Sequence, residues 1–111
     1  MIQRGAYEAG VDKQVEKVVA TIAEAFHPER VILFGSRASG TADPESDIDL
    51  LVLYGGAKSQ REVQIAIHRL FAHPDFSLDV FVLRPEQFET QRRIANTLAR
   101  EADEHGVVCY G

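Results

Sequence analysis

A chain of 111 residues can bury one hydrophobic core and is too short for a second domain of ordinary size. With 45% hydrophobic and 26% charged residues, it lacks the low hydrophobicity of a disordered chain. Its net charge of -5 argues against a protein whose main task is gripping a nucleic-acid backbone, because such binding draws on clustered Lys and Arg. A nucleotide needs only a few cations and a metal.

Residues 1–10 carry two glycines and little periodicity, and read as a flexible segment ahead of a single domain over residues 11–111. Val11, Val15, Val18, Val19, Ile22 and Phe26 fall on one helical face, with Pro28 as the stop. Val31 to Phe34 is a short apolar run that reads as a buried strand ending at Gly35. The polar stretch Ser36 to Ser46 then leads into a second strand, Ile48 to Tyr54, closed by Gly55 and Gly56. Ser59 with Glu62 has the form of a capping box, and Val63, Ala66, Ile67, Leu70 and Phe71 repeat at helical spacing as far as Pro74. A third strand is expected over Leu78 to Leu83. Pro85 suits a first helical position, and Ile94, Leu98 and Ala102 predict a last helical face, interrupted near Arg92 and ended by Gly106. Val107 to Tyr110 reads as a short edge strand, whose apolar residues are compatible with a homodimer.

This order predicts one α/β domain. The long, helix-containing connection between the second and third strands predicts that they run parallel through a right-handed crossover. The shorter link between the first and second is compatible with antiparallel pairing. Cys109 is the only cysteine, so no intrachain disulfide forms, and it reads as a small packed hydrophobe. No stretch approaches the roughly 20 apolar residues of a membrane span, and Met1 to Gly10 has no signal-like apolar core, so a cytoplasmic protein is expected. His27, His68, His73 and His105 show no ligand spacing. Arg92, Arg93 and Arg100 read as a solvated helix face rather than a basic patch, and Tyr54 and Tyr110 as packing residues.

The chemistry gathers around the second strand. Asp47 and Asp49 flank Ile48, and the strand period of two puts both carboxylates on one face. Like charges held this close call for a cation between them. Asp79 occupies the matching place at the start of the third strand, so parallel pairing would add it to the cluster. Such an oxygen-donor set suits Mg²⁺ or Mn²⁺ rather than zinc, and two ions could clamp an in-line phosphoryl displacement. Immediately after the first strand come Gly35, Ser36, Arg37, Ala38, Ser39 and Gly40. Glycine permits close backbone approach, the amides and the Ser36 hydroxyl can donate to an anion, and Arg37 supplies a charge for a phosphate oxygen.

Gly35 and Ser36, ten intervening residues, then Asp47-Ile48-Asp49 between apolar strands resembles the DNA polymerase beta-like nucleotidyltransferase superfamily. The run FGSRASGTADPESDIDLLVL is similar to its minimal-nucleotidyltransferase branch, and Asp79 in LDVFVL matches that branch's third carboxylate. The resemblance implies a small mixed sheet flanked by helices. It also implies transfer of a nucleoside monophosphate, AMP from ATP, to a hydroxyl with release of pyrophosphate. Asp47, Asp49 and Asp79 would be the metal-binding and catalytic residues, with Asp79 activating the acceptor. Gly35 and Ser36 would hold the triphosphate. The larger members' helical domain is not evident, so acceptor binding is expected to involve a partner. Free-standing members of this size are commonly encoded beside a helical HEPN protein, which implies an antitoxin that adenylylates a tyrosine of its HEPN toxin. Two other readings stand beside this one: an aminoglycoside-type small-molecule adenylyltransferase, and a non-catalytic module that neutralises a partner by binding alone.

Overall fold

The computed structural model describes residues 13–39, 47–72 and 76–111. The predicted flexible segment, Val11, Gly40, most of the polar loop, His73 and Pro74 lie outside them. In chain order the elements are α1 (Lys13–Phe26), β1 (Arg30–Phe34), the single turn α2 (Ser36–Ser39), β2 (Ile48–Leu53) and α3 (Gln60–Leu70). They continue with β3 (Leu78–Leu83), α4 (Pro85–Gln91), α5 (Leu98–His105) and β4 (Val107–Tyr110). The four strands form one mixed sheet in the order β3-β2-β1-β4. β2 and β3 are parallel, as the helical connection requires, whereas β1 runs antiparallel to both β2 and β4. The expected edge strand is therefore present as β4. No helix among the described residues is long and apolar enough to cross a membrane.

Period-two alternation divides the core into two layers. On one face Val31, Leu33, Ile48, Leu50, Val52, Val80, Val82 and Cys109 are buried with Val15, Val18, Val19 and Ile22 of α1 and Val63 and Ile67 of α3. Apolar burial of this kind near 25 cal/mol per Å² is what holds two amphipathic helices on a sheet. On the other face Ile32, Phe34, Leu51 and Leu53 meet Phe88 of α4 and Ala99 and Ala102 of α5. That second layer gathers at the Leu53 end of β2. It leaves Asp49 only partly covered and Asp79 and Phe81 exposed.

Local chemistry sets the element ends. α1 stops two residues before Pro28, at Phe26, with His27 in a left-handed conformation (φ 49°). The α3 capping box forms as expected: Glu62 N donates to Ser59 Oγ at 3.1 Å and Ser59 N donates to Glu62 Oε1 at 2.9 Å. Beyond β2, Arg84 donates to the carbonyls of Tyr54, Gly56 and Lys58 and lies over the Tyr54 ring, pinning the turn that leads to α3.

The interruption expected near Arg92 is present: one helix ends at Gln91 and the next starts at Leu98. Ile94 departs from the expectation, because it sits between them, 51% exposed, and not on a helical face. Thr97 explains the break: its Oγ1 donates to the carbonyls of Gln91 and Ile94 and accepts from Arg100 N, so it ends one helical segment and caps the next. Asn96 makes the corner at φ 67°. Ala99, which the predicted face passed over, is fully buried beside Ala102. Gly106 closes α5 because a Cβ there would overlap the Ala102 carbonyl and the Ile32 side chain.

Arg92 pairs with Glu89 and Asp103, and Arg100 with Glu104. Tyr54 is buried in the core, and Tyr110 packs against it. Burial pushes the Cys109 thiol up to about 12, so it behaves as a packed hydrophobe and not as a nucleophile.

Candidate active site

The site grows from one row of residues across the sheet. The register pairs Phe34 with Asp49 and Asp49 with Asp79, so the end of β1 and the starts of β2 and β3 lie side by side. The chain leaves β1 through Gly35, whose φ of 77° a side chain would strain. A Cβ at this position would overlap the Asp49 carboxylate. The left-handed backbone favours glycine, and without a side chain it lets the loop lie against the Asp49 carboxylate. Ser36 opens the one-turn α2, held by a hydrogen bond from Ala38 N to the Gly35 carbonyl at 3.1 Å. Backbone loop and carboxylates face each other, as antiparallel pairing of β1 and β2 demands.

Asp49 carries the electrostatic signature of the site. Its carboxyl is raised from 3.8 to about 6, first by burial, then by the negative charges of Asp79 and Asp47, and by a hydrogen bond with Asp79. The structure thus brings Asp49 and Asp79 into contact, whereas Asp47, one residue ahead of β2, acts on Asp49 through its charge. Among the described residues no three His, Cys, Asp or Glu side chains converge into a metal site by themselves. The expected three-carboxylate cluster is accordingly a touching pair with a third acid nearby. Such a set fits a magnesium-like ion, which commonly takes one or two carboxylates and completes its shell with phosphate oxygens and water.

Arg37 stands apart from the other expected residues because it is only 8% exposed. Its guanidinium donates to Gln14 Oε1 at 3.2 Å, tying α2 to the first turn of α1. The sequence reading missed Gln14 as a support for the loop. It also missed Phe34 and Phe81, whose rings meet at 6.1 Å with planes inclined by 49°. A signal for Phe81 was present: it lies two residues after Asp79 and must share its face.

Comparison with known proteins bears on the family and the fold. The model of the family described as "Nucleotidyltransferase domain" matches residues 13–108. A crystal structure of a nucleotidyltransferase from Sulfolobus solfataricus is 26% identical, with a TM-score of 0.58 over 86% of this chain and 76% of that one. A toxin-antitoxin structure with AMP-PNP shares 22% identity and a TM-score of 0.56, and a mutant of the toxin-antitoxin MntA-HpeT shares 19% and 0.58. Each of these two covers 86% of this chain and is covered over 73% of its own. Among the curated proteins none matches.

Proposed function

The chain belongs to the nucleotidyltransferase domain family, and from that premise we propose that it transfers AMP from ATP to a hydroxyl of a protein partner. The observation that carries this reading is the apposition of the Gly35 backbone to Asp49, with Asp79 in register beside it. A triphosphate on the Gly35-Ser36 loop brings its phosphorus to the carboxylates. Asp47, Asp49 and Asp79 would hold Mg²⁺ or Mn²⁺, and when bound the cation neutralises phosphate charge and lowers the cost of the in-line displacement. The residues themselves position and move a proton. Gly35 and Ser36 orient the leaving pyrophosphate through backbone and hydroxyl donors. Arg37, anchored on Gln14, adds a buried positive charge to that loop. An Asp79 carboxylate oxygen takes the proton of the attacking hydroxyl as the new O–P bond forms and the bond to pyrophosphate breaks.

The partner class is inferred from two kinds of support. The minimal-nucleotidyltransferase motifs imply a HEPN toxin as acceptor, with a tyrosine as its modified residue. Two proteins that share the fold form toxin-antitoxin assemblies, one of them crystallised with AMP-PNP. These support reading the chain as an antitoxin that acts by adenylylation. Incubation with α-labelled ATP, Mg²⁺ and the protein encoded beside it should label that neighbour, with added AMP located by mass spectrometry. An unlabelled neighbour at saturating ATP overturns the reading. Asp47→Asn with Asp49→Asn should abolish both labelling and neutralisation; neutralisation that persists would assign binding alone.

A further inference from the structure

We propose that Phe81 is the acceptor-positioning residue, and that its exposed ring selects a hydroxyl carried on an aromatic group over one carried on a polyol. This rests on the transfer reaction proposed above. The sheet order β3-β2-β1 puts Asp49 between the Gly35-Ser36 loop, which follows β1, and Asp79 on β3. In-line displacement sets attacking and leaving oxygens on opposite sides of the phosphorus. With pyrophosphate held on the β1 side, the acceptor arrives from the β3 side. The residues waiting there on the open face are Asp79 and, one pleat further along the same face, Phe81.

An isolated exposed apolar side chain is ordinary. Phe81 is not isolated. It is 39% exposed, yet its ring rests against the buried ring of Phe34, the residue paired with Asp49. The contact with Phe34 holds the ring while part of it stays exposed on the face that carries Asp79. A polyol acceptor would need hydrogen-bonding groups at this place, whereas an aromatic ring offers contact area and ring-to-ring packing. Phe81 thus orients the acceptor and leaves the nucleotide to the opposite side of Asp49.

The test is a chemical-shift titration of the isotopically labelled full chain, held with a non-hydrolysable ATP analogue and Mg²⁺. The probes are p-cresol, which is the tyrosine side chain, and glycerol. In the wild type p-cresol should shift the Asp79 to Val82 amides saturably and glycerol should not. Phe81→Ala should weaken p-cresol about fivefold, the range an aromatic pair supplies, with the affinity for the ATP analogue unchanged within about twofold. Phe81→Leu, which keeps an apolar contact with Phe34, serves if the alanine variant fails to fold, and should also weaken p-cresol. The inference is overturned if p-cresol binds the variants as it binds the wild type, or shifts other residues or none. It is equally overturned if the analogue weakens together with p-cresol, which would put Phe81 on the nucleotide. Failure of the analogue with Mg²⁺ to bind the wild type overturns the underlying reaction, and is told apart because it precedes any acceptor measurement.

Discussion

The two faces of this sheet are built from the same four strands and serve opposite ends. One is closed along its length by α1 and α3, and its inward positions are Val, Ile, Leu and Cys with almost no exposure. The other is closed by α4 and α5 around Leu51 and Leu53, while Asp49 and Asp79, at the starts of β2 and β3, and Phe81, across from Leu51, stay partly or wholly exposed. Along β2 the difference appears within two neighbouring residues: Leu50 is fully buried on the closed face, and Asp49 sits on the open one with its carboxyl held near neutrality. On the reading proposed above, the chemistry belongs to the open part of one face, so substitutions one residue apart should act in different currencies.

The largest effect should come from the closed face. Leu50→Ala removes a fully buried side chain between sheet and helices, and should cost about 3 kcal/mol of stability, read from the midpoint of urea unfolding. Activity per folded molecule should change little. A variant as stable as the wild type, or one that loses transfer while folded, would break the division between the faces.

Gly35→Ala should cost less stability and far more activity. The methyl group is strained at φ 77° and meets the Asp49 carboxylate, so a loss of about 2 kcal/mol is expected. Displacing either the loop or the acid should lower transfer at least about 100-fold, since misplacement of this size costs that much. Unfolding curves and labelled-ATP transfer check the two parts. Wild-type rates in this variant would detach the glycine from the site.

Much of this organisation was legible in the sequence, because the closed face obeys simple periods. Val63 and Ile67 at helical spacing, and the Leu78–Leu83 strand, fall where expected. The parallel pairing of β2 and β3 followed from the helix between them, and that pairing carries Asp79 to Asp49. Ile94 was misplaced for a physical reason: its spacing continues a helical stripe, but the Thr97 hydroxyl captures the carbonyls that would have continued the helix. Contacts distant in sequence were harder to read. Neither the Arg37 bond to Gln14 nor the Phe34 contact with Phe81 leaves a local pattern, since each depends on how separate elements meet.

Asp49→Asn sharpens the comparison with the smallest stability change and the opposite sign. The Asp49 carboxyl titrates near 6 in the folded chain, above its ordinary 3.8, so between these values the folded state holds a proton that the unfolded state has released. Stability therefore falls as pH rises through that window, and the penalty is complete above about 6. An uncharged amide removes it. Because much of the carboxylate faces solvent, screening limits the gain of Asp49→Asn to about 1 kcal/mol at pH 7.5, and it should vanish as pH approaches 3.8. Mg²⁺ should stabilise the wild type at pH 7.5, less so at pH 5 where it competes with the proton on Asp49. The Asn variant should respond weakly and transfer no AMP. Urea midpoints with and without Mg²⁺ at the two pH values decide the matter: a variant less stable than the wild type at pH 7.5, or one that gains equally at low pH, would mean that Asp49 belongs to the packed side of the sheet and not to its chemistry.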